Sequence, residues 1–409
     1  YYSRYIRNDI YIAVWTMLLI AAFFHFIRER NPRWFYLGAA VLMLSLATKE
    51  NAYIFGFIGL VFIIEALLWE RSKKSTRIWL TVGGLVLSVA LLVAAYFLGR
   101  VPTPDEAETA ETASAVLKLI SAVVMVIGGT IPAVLLTAIL IPSRHPERSS
   151  VEEAVRSLSW KMWLIAAIVM FMNYALLFTT YFTNPAGLIT GIGGSISYWL
   201  AQQEVERGGQ PWYYYFLLLP MYEFVPLLFG VVATVYYLLK GAPGRARKER
   251  GARTAKGDGG ELSSGATKAE DGASRESGDA TGPPRALVPS DQALFVPFLI
   301  LWAITTLFIY SWAGEKMPWL VVHPVLPLIL LTGRFCGDVF EPVDWREVWR
   351  RGGALLALLL PITLCGLYTL VQVRPFQGLS IFKLQETGTW MAALLVTLLL
   401  LVLTALVVR

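Results

Sequence analysis

Apolar runs of membrane-spanning length recur from one end of this chain to the other, and they limit its fold more than any other feature. They occupy residues 10–27, 34–48, 53–69, 78–99, 116–141, 162–182, 213–239, 292–312, 318–335, 353–372 and 389–408. About 20 apolar residues in a helix cross the roughly 30 Å hydrocarbon core of a bilayer. Within lipid each run must be helical, because nothing outside the segment can pair its backbone groups. These eleven candidate spans predict an all-α polytopic membrane protein. The balance of residues agrees: only 16% are charged and 56% are hydrophobic, where a soluble domain carries roughly 25% charged residues.

The basic residues give the orientation. With Arg28 to Arg33 taken as cytoplasmic, alternation puts 70–77, 143–161, 240–290 and 334–351 on the same side, and these connections hold most of the 35 Lys and Arg. That is the bias expected of cytoplasmic loops. The opposite set, 1–9, 49–52, 100–115, 183–212, 313–317 and 373–388, includes the acidic "TPDEAETAE". Topology thus accounts for the net charge of +6, and no nucleic-acid partner is implied. The expectation is a multi-pass protein of the cell membrane.

Residues 240–290 divide the spans into a group over 1–239 and a group over 291–409. The divider is rich in Gly, Ala, Ser and charge and has no aromatic residue, so it cannot bury enough apolar surface to offset its ordering entropy. It reads as a disordered cytoplasmic linker. On the other face, 183–212 is the longest connection. Its "SISYWLAQQEVERGG" has the pattern of a short helix lying flat in the interface, capped by Ser195 or Ser197 and ended by Gly208. The glycines of "GIGG" carry no nucleotide signal, since no strand precedes them.

Charge placed against its own interest is the next clue. A charged side chain at the centre of a membrane helix costs roughly 2.5–3.5 kcal/mol on insertion scales, and those that persist usually face a cavity or a partner. Here Arg4, Arg7 and Asp9 precede the first span, and Lys49, Glu50 and Asn51 interrupt 34–69 with scarcely a loop. Glu223 lies inside 213–239, and Glu315, Lys316 and His323 surround the start of 318–335. All fall at or just below the outer face. Trp199, Trp212, Tyr213, Tyr214, Tyr215 and Trp319 accompany them. The set predicts an aqueous cavity opening outward, whose basic groups suit a phosphate and whose aromatic faces suit a sugar ring or an isoprenoid. Each member also has a plainer role available: interface anchor, tight turn or structural ion pair. Cys336 and Cys365 have no CxxC partner and read as inert thiols. No second clustered His or Cys pair accompanies His323, so a tight zinc site is not expected. No cofactor is implied firmly, and a divalent metal stays possible.

Five stretches together, "YYSRYIRNDIY", "LATKENAYI", "YFTNPAGL", "YWLAQQEVERGGQPWYYY" and "EKMPWLVVHPVLPL", resemble the GT-C glycosyltransferase superfamily. The nearest similarity is to archaeal and bacterial proteins associated with lipid-linked sugar flipping in N-glycosylation; protein mannosyltransferases and lipid A aminoarabinose transferases are more distant. The resemblance covers essentially the whole chain except the linker. It implies transfer of a sugar from a polyprenyl-phosphate carrier to a protein or glycan acceptor on the non-cytoplasmic side. By motif, Ser3, Arg4, Arg7 and Asp9 would lie beside the carrier phosphate, and Lys49 and Lys316 would help hold it, with His323 bonded to the same cluster. Glu50, Glu223 and Glu315 become candidates for sugar contacts or for orienting the bases. Asp9, Trp199, Trp212 and Tyr213 join them as sugar or acceptor contacts.

In that superfamily the acid taken as catalytic base lies in the first outside loop, which the chain starting at Tyr1 does not contain. The resemblance therefore implies about thirteen helices in a full protein, with the base upstream. The alternatives are a non-enzymatic accessory that moves lipid-linked sugar and a structural subunit of a larger membrane complex.

Overall fold

The computed structural model describes residues 8–100, 108–142, 149–191, 193–194, 209–240, 290–314, 316–341, 343–375 and 381–408. Arg4, Arg7, Trp199, Glu315, the expected interfacial helix and almost all of the 240–290 linker lie outside them. Among the described residues every regular element is helical. They form two compact units, Tyr1–Phe335 and Cys336–Arg409.

The first unit opens with α1 (Asp9–Glu29), α2 (Pro32–Thr48), α3 (Ala52–Arg71), α4 (Lys74–Leu98) and α5 (Glu108–Ala138). A short α6 (Ser150–Ser157) and α7 (Trp160–Phe178) follow. Next come α8 (Tyr214–Tyr222), α9 (Phe224–Lys240), α10 (Ser290–Trp312), a 3-10 turn over Pro318–Val321, and α11 (Val322–Phe340), which runs on into the second unit. Among the described residues, eight helices are long and apolar enough to cross a membrane, or nine if α8 and α9 are one bent span. The protein is an all-α, multi-pass membrane protein. Two expected spans miss that length: α2 has 17 residues, and the apolar part of the helix Ala354–Gln372 is Ala357–Gln372.

The run 213–239 is a single expected span that the structure breaks. Its halves, α8 and α9, meet at Glu223 with a bend of 104°. Prolines on both sides explain the break. Pro220 and Pro226 each lack the N–H of a helical bond and crowd the preceding turn, and Glu223 between them leaves helical geometry at φ −129°, ψ 36°.

The core sits around α10, whose Leu294, Val296, Leu299, Leu301 and Trp302 are essentially inaccessible. Helices α1, α3, α5 and α8 pack around it, so the segment just after the linker joins the helices before it. Lipid tails are as apolar as these side chains, so close packing must hold the bundle together. Gly129 of α5 shows how close: a Cβ there would lie 2.0 Å from Cζ of Phe308 on α10.

The two ends of the bundle are polar in different ways. At the end that the basic residues lead one to expect on the cytoplasmic side, α6 is strapped across α1 and α3. Arg30 donates to the Ser150 carbonyl at 2.7 Å and pairs with Glu153 at 3.6 Å, and Ser150 Oγ donates to Glu70 at 3.4 Å. Arg77 donates to the carbonyls of Ile141 and Trp69. Sequence reading placed 143–161 only as a loop; the helix within it starts at Ser149, whose hydroxyl accepts from the Glu152 N–H.

In the second unit, a four-residue helix α12 (Trp345–Val348) leads through a π-turn over Trp349–Gly353 into α13 (Ala354–Gln372), which pairs with α14 (Ile381–Val408). Asp344 caps α12 through the Arg346 and Glu347 N–H groups. Cys336 and Cys365 are both free thiols.

Candidate functional site

At the opposite end of the first unit, four helix ends bring polar side chains to one point. Asp9 opens α1, where the helix dipole favours an acid. Lys49 ends α2 in an extended conformation, φ −165° and ψ 148°, with its N–H on the Ser45 carbonyl. Trp15 of α1 fixes that end by donating from Nε1 to Thr48 Oγ1 at 3.2 Å. Lys49 Nζ then donates to Asp9 Oδ1 at 2.5 Å.

Asn51 stands at the N-cap of α3 but makes no side-chain cap bond. Its amide Nδ2 lies 2.9 Å from His323 Nε2 instead. The same ring nitrogen is 3.5 Å from Asp9 Oδ1. Carboxylate, imidazole, amide and ammonium thus share one point. Asp9, Asn51 and His323 are buried and Lys49 is partly exposed.

Below this point lies an aromatic floor. Tyr310 of α10 stacks on His323 with ring centroids 5.2 Å apart and planes 8° apart. Phe55 covers another side of the imidazole at 5.4 Å and meets Trp302 edge-on at 5.9 Å. Tyr215 of α8 packs edge-on to Tyr310 at 6.4 Å. All five rings are buried.

Lys316 lies in the unwound stretch between α10 and the Pro318 turn. Its ammonium donates to the Ala313 carbonyl at 2.7 Å, and only 8% of the residue is exposed. Contacts link it to the cluster: Met317, beside it, is bonded to Tyr215, Tyr215 touches Tyr310, and Tyr310 stacks on His323.

Of the residues singled out in the sequence, Asp9, Lys49 and His323 are thus in direct contact, with Lys316 joined to them through Met317 and two tyrosines. Glu50 lies between Lys49 and Asn51, half-buried, and its carboxylate makes no hydrogen bond or ion pair among the described residues. Glu223 sits at the α8–α9 break, likewise with no side-chain partner among the described residues. Trp212 and Tyr213 are exposed just before α8, with their rings 5.7 Å apart. His323 and Lys316 are buried, while Lys49 and Glu50 are partly exposed; Arg4, Arg7, Trp199 and Glu315, which the expected cavity also needs, lie outside the described residues.

Asn51, Tyr215 and Tyr310 are the members whose parts sequence reasoning missed. Asn51 carried a signal as the third polar residue of a turn with no room for a loop, and Tyr215 as one of the aromatics beside the charged set; Tyr310 carried none. Among the described residues, no three His, Cys, Asp or Glu side chains are placed to hold a metal ion.

Chemically the arrangement suits an anion at its edge. Lys49 has three N–H donors and commits one to Asp9, which aims the ammonium and leaves two for a ligand. Glu50 adds a free acceptor for hydroxyl groups next to it. Compared with known protein families, with characterised proteins and with solved structures, the chain matches none.

Proposed function

We propose that this protein binds a polyprenyl-phosphate-linked sugar at the Asp9–Lys49–Asn51–His323 cluster and transfers the sugar to an acceptor at the non-cytoplasmic face. The convergence of that cluster from α1, α2, α3 and α11 carries the reading. Charged groups that persist at membrane depth usually serve a ligand or a partner, and this set presents a cation toward its open edge. The phosphate takes the two free Lys49 donors, with Lys316 as the second cation. Glu50 is placed for the sugar hydroxyls. Trp212 and Tyr213, exposed before α8, offer faces for a ring or a prenyl chain. The buried aromatic floor favours use from one side, because it closes the cluster against the bundle interior.

The test is turnover of a short-chain polyprenyl-phosphate sugar by the full chain reconstituted in liposomes. Sugar transfer should fall at least about tenfold in Lys49→Ala, the effect of losing one charge-assisted hydrogen bond worth about 1.5–3 kcal/mol. Turnover equal to that of the unaltered protein would remove the proposal.

One observation favours a second reading, movement of the carrier between leaflets. Glu65 lies inside α3, 1% exposed, with Oε1 accepting from Thr137 Oγ1 at 2.7 Å and Oε2 without a partner among the described residues. An intramembrane carboxyl of this kind marks transport paths in other membrane proteins. Under this reading Glu65→Gln stops the translocation of labelled carrier in vesicles lacking acceptor. Under the transferase reading it leaves turnover intact.

A further inference from the structure

After α10 ends at Trp312, Lys316 and Met317 stand outside helical geometry just before Pro318. Met317 is extended at φ −123°, ψ 147°, as the residue before a proline tends to be. Its N–H therefore has no intrahelical partner, while its C=O accepts from the Leu320 N–H at 3.1 Å in the following turn; near lipid an unpaired group is costly. One side chain meets both. The Tyr215 hydroxyl accepts from the Met317 N–H at 3.2 Å and donates to the Met317 carbonyl at 3.1 Å. Tyr215 is fully buried, and it comes from α8, the short arm of the bent span.

From this geometry we infer that the Tyr215 hydroxyl is a positioning residue for Lys316, the neighbour of Met317. The inference rests on the carrier-binding reading for its purpose but not for its geometry. A tyrosine serving only to fill the core would act through its ring, which phenylalanine reproduces. A clamp acts through the oxygen, which phenylalanine lacks. Without it, the Met317 N–H loses its partner and the C=O keeps only the Leu320 N–H, the turn loosens, and the Lys316 ammonium leaves the Ala313 carbonyl for solvent. The bent span then has a purpose: the 104° break lets a short arm lie where its second residue reaches the turn after α10.

Two measurements on Tyr215→Phe test this. The first needs no ligand: reductive methylation of the purified protein, followed residue by residue by mass spectrometry. Lys316 should react at least about fivefold faster in Tyr215→Phe, the scale of one lost hydrogen bond, while Lys49 and Lys161 keep their rates. Equal Lys316 rates in the two proteins overturn the inference.

The second measurement is binding of farnesyl phosphate, in single and double variants with Lys316→Ala. Tyr215→Phe should weaken binding about fivefold in the unaltered background and have no effect once Lys316 is alanine, since the hydroxyl acts through that lysine. Equal weakening in both backgrounds marks a general structural role and contradicts the inference. Farnesyl phosphate that fails to bind the unaltered protein counts against the carrier-binding reading alone, and the methylation rates then decide the clamp.

Discussion

Asn51 and His323 stand 272 residues apart in the chain and 2.9 Å apart in the fold. At the scale of single residues, separations of this kind divide what the sequence reveals from what it hides. Lys49, Glu50, Lys316 and His323 are conspicuous because charge or imidazole interrupts oil, and insertion cost alone singles them out. Their partners are not conspicuous. An Asn before a helix reads as a cap, and a Tyr within an apolar run reads as core, so neither Asn51 nor Tyr310 announces that it holds His323. The Asp9–Lys49 pair lies between a buried carboxylate and a partly exposed ammonium. Asp9→Ala should therefore cost about 2 kcal/mol, between the small worth of surface pairs and the 3–5 kcal/mol lost when a buried pair is broken. Most of that loss should be recovered when Lys49→Ala is added, because the stranded ammonium is then gone. Thermal unfolding of the three variants in detergent checks this, and additive losses would show that the two side chains do not depend on each other.

At the scale of elements, the long helices were legible and their interruptions were not. Hydropathy measures how apolar a stretch is, and 213–239 is apolar throughout, so the turn at Glu223 left no trace in it. Pro220 and Pro226 were the local signs. A proline in a membrane helix often gives only a kink, because neighbouring groups can re-satisfy the freed backbone. The strap α6 was hidden for a different reason: it is eight residues long, too short for a hydropathy window, and it is held by Arg30 and Glu70 from helices far away in sequence. Packing between elements gives its own prediction. Gly129→Ala drives a methyl into the Phe308 ring and should destabilise the α5–α10 contact by about 1–3 kcal/mol, the usual cost of overpacking. Phe308→Leu in the same chain should recover part of it. An unchanged unfolding midpoint in Gly129→Ala would mean that the two helices are not in close contact.

At the scale of the whole molecule, the alternating ends of the bundle carry the topology. Asp9, Lys49, Asn51 and His323 meet at one end, and Arg30, Glu70, Ser150 and Glu153 meet at the other. The basic-residue bias assigns the second end to the cytoplasm. With Cys336 and Cys365 replaced by serine, single cysteines at Glu50 and at Lys73 should react with a membrane-impermeant maleimide from opposite sides of intact cells, position 50 from outside. Labelling of both from one side would contradict the alternation.

The central claim is that the cluster around Lys49 holds the phosphate of a prenyl carrier, and its most direct measurement is equilibrium binding of farnesyl phosphate to the protein in nanodiscs. The account predicts saturable binding, weakened at least about tenfold by Lys49→Ala, the scale of a lost charge-assisted bond, and left unchanged by Glu65→Gln. Equal affinity in the unaltered protein and Lys49→Ala, or no saturable binding to either, would contradict it.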